Sequence, residues 1–249
     1  MPRRLTWEVD EVLEKALAHA TETATTLIAN HKLKTVWFKG FGKKFLKAHR
    51  CQPDSFMQVA LQLAYYRDQG TFTATYESAT MRTFLHGRTE CIRSCTSACK
   101  DFVLAFEDAS VATDVKLEKF RAAAQAHLFF LQQCMLGQGV DRHLLGMRVM
   151  AFYAGLEPEI FSDAGYVKST KWDLSTSQMA YQSRDWPGFG APFPDSYGTC
   201  YVCALPDELL TCCSSNATCK GKDATRFAAV LERCFADLGA LLASGDSKM

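Results

Sequence analysis

The sequence predicts an α/β protein, a mixed β-sheet covered by helices, and three observations carry that expectation. Segments with helical apolar spacing alternate with short segments of period two, Gly and Pro punctuate the changes, and 48% of the 249 residues are hydrophobic. A chain of this size can bury a sizeable core, and a single domain is expected over residues 1–249.

The elements follow in order. From Trp7 to about Asn30, Val9, Val12, Leu13, Ala16, Leu17 and Ala20 keep helical spacing, with acidic residues early, where the helix dipole favours them. "KTVWFKGF" reads as a strand running into a Gly-Lys turn. "PDSFMQVALQLAYYRDQG" opens on Pro53 and closes on Gly70, the punctuation of a helix whose stripe of Phe56, Val59, Ala60, Leu63 and Ala64 faces a core. "TFTATYES" sets Phe72, Ala74 and Tyr76 against threonines, the period of a half-buried strand. Three helices are expected over residues 91–108, 113–136 and 141–155. Strands return in "KWDLSTSQ", "GTCYVCALP" and "ELLTCCSS", and Asp223 to Ser244 closes the chain as an amphipathic helix.

Composition narrows the function classes. A formal net charge of +1 with mixed signs gives no nucleic-acid or membrane-surface footprint, so the expected ligand is small. No run approaches the roughly 20 apolar residues that span a bilayer, and the N-terminus carries no apolar export signal. The eleven cysteines are therefore expected to be reduced, buried small hydrophobes. Cys91, Cys95 and Cys99 have the spacing of one helix face; Cys200, Cys203, Cys212, Cys213 and Cys219 resemble a metal cluster only by count, because strand spacing turns Cys200 and Cys203 to opposite faces. No metal is expected. Ser247-Lys248-Met249 differs from the Ser-Lys-Leu peroxisomal address by one side chain, which suggests a peroxisomal location, with a cytoplasmic or mitochondrial one as the alternative.

Five stretches raise a sharper expectation: "FGKKFLKAHRCQPDSFMQVALQLAYYRDQG", "TYESATMRTFLHGRTE", "DRHLLG", "LSTSQ" and "FGAPFPDSYG". Their order resembles that of the carnitine and choline acyltransferases, over nearly the whole chain, and five ordered motifs are far more specific than any one of them. That family moves an acyl group between coenzyme A and the hydroxyl of carnitine or choline in fatty-acid metabolism. The resemblance implies the C-terminal half of a carnitine O-acyltransferase, with acyl-CoA as co-substrate.

Carried over residue by residue, the resemblance places Lys43 and Lys47 of "GKKFLK" at the nucleotide phosphate of coenzyme A, with Asp54 and Gln178 at the same site. Two lysines four apart can converge on one phosphate as point charges, although on their own they read as a solvated basic turn. Tyr76, Ser78 and Thr89 would line the carnitine pocket and join Arg142 in a carboxylate-binding set, with Ser175 nearby. Choline has no carboxylate, so Thr89 and Arg142 favour carnitine; a structural arginine holding Glu77 or Glu90 is the alternative. Ser177 matches the serine that donates to the oxyanion of the tetrahedral intermediate.

The departures also matter. The family's general base is a histidine well upstream of these motifs, and His19 of "AHATETAT" reads as a helix residue, so a catalytically inactive coenzyme A- and carnitine-binding module is the competing expectation. Leu128 stands where some members carry a coenzyme A-site arginine, and Pro187-Gly188 occupies the stretch that shapes the acyl tunnel. If the other half is missing, the face that would meet it is expected to be exposed and partly apolar, open to that half or to a second copy of the chain.

Overall fold

The computed structural model describes residues 2–182 and 184–245, so the Ser247-Lys248-Met249 address lies outside the described residues. Its elements are α1 (Glu11–Ala29), β1 (His31–Phe38), α2 (Lys43–Ala48), α3 (Pro53–Gln69), β2 (Thr75–Thr80), β3 (Thr89–Arg93), α4 (Ser97–Glu107), α5 (Thr113–Met135), α6 (Asp141–Tyr153), α7 (Ala164–Ser169), β4 (Leu174–Gln178), β5 (Tyr197–Val202), β6 (Leu209–Asn216) and α8 (Ala224–Ser244). The strands form one six-stranded mixed sheet in the order β1-β6-β5-β4-β2-β3, with β4 parallel to both β2 and β5 and the remaining pairs antiparallel. The expected α/β class is correct. Among the described residues no helix is long and apolar enough to cross a membrane.

Local chemistry sets several boundaries. Pro53 opens α3 without wasting an N–H, and Gly70 ends it at φ +68°, a left-handed conformation costly for residues with a Cβ. Asp10, Thr96 and Asp223 accept backbone N–H groups at the starts of α1, α4 and α8. The expected Gly-Lys turn is the short helix α2, anchored where Lys43 N and Lys44 N donate to the Leu205 and Pro206 carbonyls at 2.8 and 2.9 Å. Gly42 is required there: a Cβ would stand 2.7 Å from both Asp207 N and Leu205 O, and nearer still to Glu208 N. Gly42→Ala should therefore cost about 1–3 kcal/mol of stability by overpacking, read as a lowered urea midpoint at unchanged slope.

One expected helix needs correction. Residues 91–93 belong to β3, which pairs with β2 through Tyr76↔Arg93, Glu77↔Ile92 and Ser78↔Cys91, and the helix starts only after Thr96 caps it. Cys91, Cys95 and Cys99 consequently lie on a strand, a connection and a helix rather than on one helix face. Cross-strand pairing decided this; apolar spacing along the chain carries no trace of it. Cys203 likewise falls just past β5, so the strand-face argument does not reach it. All eleven thiols are free, and nine are buried.

Helices α3, α5 and α8 cover one face of the sheet, and their core is aromatic: the Phe56 ring meets Phe41, Phe120 and Phe235 at centroid distances of 5.6, 6.4 and 6.1 Å. By contrast α1 buries no residue, and it leaves Val12, Leu27 and Ile28 at least 65% exposed. Phe152 and Tyr153 at the end of α6 are similarly exposed.

Candidate acyl-transfer site

Successive strand residues point to opposite faces, so pairing register sorts the site. Tyr76 of β2 is in register with Ser175 of β4, and Ser175 with Gly198 of β5; in the next row Ser177 aligns with Cys200 and Cys200 with Cys212 of β6. Tyr76, Ser78, Ser175 and Ser177 thus share the sheet face opposite the α3–α5–α8 layer. The segment after β4 crosses the β5–β6 side of this face, held where Ser214 Oγ donates to the Phe189 carbonyl at 2.6 Å. A Cβ on Gly188 would meet Cys212 Sγ at 3.1 Å, so glycine lets the segment lie close against β6 there.

"TYESATMRTFLHGRTE" is a hairpin, β2 and β3 joined by a polar turn. It presents Tyr76 and Thr89 to Arg142 at the start of α6: the guanidinium donates to Tyr76 OH at 3.2 Å, Thr89 Oγ1 at 3.4 Å and the Thr89 carbonyl at 3.2 Å. The alternative of a structural arginine fails on geometry. Glu77 accepts from Ser94 and His127 instead, and Glu90 accepts the backbone N–H of Arg142, not its side chain. Among the described residues no carboxylate pairs with the Arg142 guanidinium, which is exposed. Tyr76 is itself fixed edge-on to Trp172, over which Arg93 stacks while binding both oxygens of Asp141.

The remaining carried-over residues divide. Lys43 and Lys47 stand one turn apart on α2 and have no ion-pair partner among the described residues, whereas Lys44 between them pairs with Asp207. Gln178 Nε2 donates to Cys203 Sγ at 3.1 Å. Asp54 faces inward, only 4% exposed, and accepts from Tyr201 OH at 2.6 Å. Ser175 is buried, Ser177 is half-buried, and among the described residues no imidazole bonds to either hydroxyl.

Sequence reasoning missed a polar network beneath the sheet. Asp54, Gln58 and Gln62 recur every four residues along α3 and are all buried; Gln58 donates to Thr176 Oγ1 and Tyr201 OH, both at 2.9 Å, and Gln62 to Thr75 Oγ1 at 3.1 Å. Thr176 Oγ1 passes the link on to the Tyr76 carbonyl at 2.8 Å. That period-four polar stripe on an otherwise apolar helix was the readable signal. His127 of α5 completes the network, bonding Glu77 at 2.7 Å and Ser55 at 2.9 Å. Burial and then the Glu77 charge raise the Asp54 carboxyl to about 7, against the opposing pull of His127 and Tyr201. Burial alone would lower His127, but the Glu77 carboxylate overrides it and the net shift is upward.

The family described as choline/carnitine O-acyltransferase matches residues 1–233. Choline O-acetyltransferase of Sus scrofa is 37% identical over 100% of this chain and 39% of its own length, and carnitine O-acetyltransferase of Homo sapiens is 36% identical over 98% and 39%. A solved structure titled as the molecular basis for condensation domain-mediated chain release from the enacyloxin polyketide synthase aligns at a TM-score of 0.46 and 13% identity, over 86% of this chain and 41% of that one. The chain spans about two fifths of the length of the curated relatives it matches. With the family matched over residues 1–233 and relatives more than a third identical across the chain, this protein belongs to the choline/carnitine O-acyltransferase family.

Proposed function

We propose that this chain supplies the coenzyme A- and carnitine-binding half of a carnitine O-acyltransferase, which moves an acyl group between coenzyme A and the carnitine hydroxyl. The observation that carries the choice of carnitine over choline is Arg142, a guanidinium set between Tyr76 OH and Thr89 Oγ1 with no protein carboxylate on it among the described residues. Such a set matches the two oxygens of a carboxylate, and choline offers it nothing to bind. Lys43 and Lys47 would hold the coenzyme A phosphate, with Gln178 near the same ligand. Ser175 lies next to the carnitine pocket, and Ser177 donates to the developing oxyanion. The exposed apolar surfaces of α1 and α6 suit cover by the remainder of a two-domain enzyme.

The test is release of free coenzyme A thiol from short, medium and long acyl-CoAs, with L-carnitine or choline as acceptor, alongside binding titrations. Arg142→Ala should raise the Kd for L-carnitine by about 10²-fold and leave choline and coenzyme A within about twofold. Equal losses for carnitine and coenzyme A would mean that the pockets are misassigned. A second reading is favoured by one observation: no imidazole bonds to Ser175 or Ser177 among the described residues. Under it the chain is a binding module, and saturable coenzyme A binding without thiol release is the expected outcome.

A further inference from the structure

Asp54, Glu77 and His127 come from three elements, α3, β2 and α5, yet their ligating atoms lie within 4.8 Å of one another and each residue is at most 4% exposed. Two buried carboxyls this close cannot both ionise cheaply beside one imidazole. The arrangement that satisfies every partner is an ionised Glu77, a protonated His127 donating to Glu77 and Ser55, and an Asp54 that keeps its proton. Glu77 Oε2 also accepts from Ser94 Oγ at 2.6 Å, just beyond β3. Both ring nitrogens of His127 are already bonded to protein partners, so the imidazolium offers a cation no lone pair.

The position of Glu77 gives the cluster its purpose. It sits between Tyr76 and Ser78 but points to the covered face, so whatever grips Glu77 from behind fixes the two residues in front. Asp54 reaches β5 through Tyr201, and Gln58, one turn along α3, reaches Thr176, the residue between Ser175 and Ser177. We propose that Asp54, Glu77 and His127 are positioning residues, a buried carboxyl–carboxylate–imidazolium clamp that locks β2 and β5 against α3 and α5 and so, with β4 held between those two strands, keeps Tyr76, Ser78, Ser175 and Ser177 converged on the open face. The clamp's role in acyl transfer rests on the function proposed above, whereas its grip on the two strands does not.

The other titratable groups facing the clamp are Tyr201, Cys203, Cys134 and Cys91, and burial raises all four so that they stay neutral near pH 7. The pH dependence therefore belongs to Asp54 and His127. Asp54 holds its proton to about 7 when folded and has an ordinary value of 3.8, so the folded state binds more protons between those values and stability falls as pH rises through that window. His127 is raised above 6.5, so its contribution is full below that value and is lost as pH rises through the folded one.

The experiment uses the 249-residue chain in native-state hydrogen exchange and in denaturation from pH 4 to 9, with Asp54→Asn and Glu77→Gln. The amide introduced by Asp54→Asn mimics the protonated acid, so exchange in β2 and β4 should stay within about twofold of the parent while the fall in stability between pH 4 and 6, where the His127 contribution is still full, disappears. Glu77→Gln removes the anion at the same size; exchange in β2 and β4 should accelerate by at least about tenfold relative to α8. Unchanged relative exchange in Glu77→Gln, a fall in stability between pH 4 and 6 that survives Asp54→Asn, or one equivalent of zinc in the purified chain would each overturn the clamp. If Glu77→Gln does not fold, the Asp54→Asn slope decides alone. None of these readouts involves a ligand, so absence of carnitine binding would count against the acyltransferase reading and leave the clamp standing.

Discussion

On the function proposed above, Ser177→Ala should lower the turnover number of acyl transfer to L-carnitine by about 10²- to 10³-fold, with the Kd values of carnitine and coenzyme A moving less than about twofold. The expectation follows from where the hydroxyl sits. β4 is flanked by parallel partners on both sides; Ser177 is in register with Cys200 of β5, its neighbour Thr176 with Glu77 of β2, and its side chain shares the open face with Tyr76 and Ser175. A donor fixed in this way needs no reorganisation when charge develops on the acyl oxygen, and it acts on the transition state far more than on the bound thioester. Its neighbour Cys200 cannot substitute as an anion, because burial pushes that thiol up to about 11. A variant with normal turnover but raised KM would assign Ser177 to ground-state binding and remove it from the oxyanion role.

The largest effect on stability is expected from Phe56→Ala, about 3–5 kcal/mol. Phe56 is fully buried, and its ring is shared between α3, the Phe120 of α5 and the Phe235 of α8. Those helices cover the sheet from behind, so truncation leaves a cavity that none of them can fill without moving the others. The measurement is the urea midpoint at constant slope. A loss below about 1 kcal/mol would mean that the aromatic core repacks freely, and that α3 is not held rigidly enough to present Asp54 and Gln58 to the sheet.

Individual elements show how far the sequence could be read. Helix α3 was legible end to end because Pro53 and Gly70 mark it and its apolar stripe has one period. Helices α5, α6 and α8 and strands β4 to β6 were legible for similar reasons. β3 was not: Thr89–Arg93 becomes a strand because β2 is beside it, a contact between segments that no local period encodes. The segment between α6 and β4 was also silent, since its helix α7 is six residues long and too short for a periodic signature.

The site divides along the same line. The five motifs and their order were enough to assign the family and to nominate Tyr76, Ser78, Thr89 and Arg142, with Ser175 nearby, for a carnitine pocket and Ser177 for the oxyanion. That Arg142 reaches Tyr76 and Thr89 and not Glu77 or Glu90 depends on where α6 docks, and only the folded chain decides it. The same holds for the buried network. Asp54, Glu77 and His127 lie 23 and 50 residues apart in successive steps along the chain, so their mutual hydrogen bonds and the raised Asp54 carboxyl exist only once α3, β2 and α5 have packed. Local composition and spacing fix what a segment prefers by itself; burial, charge coupling and strand partners are properties of distances between segments, and those distances arise only on folding.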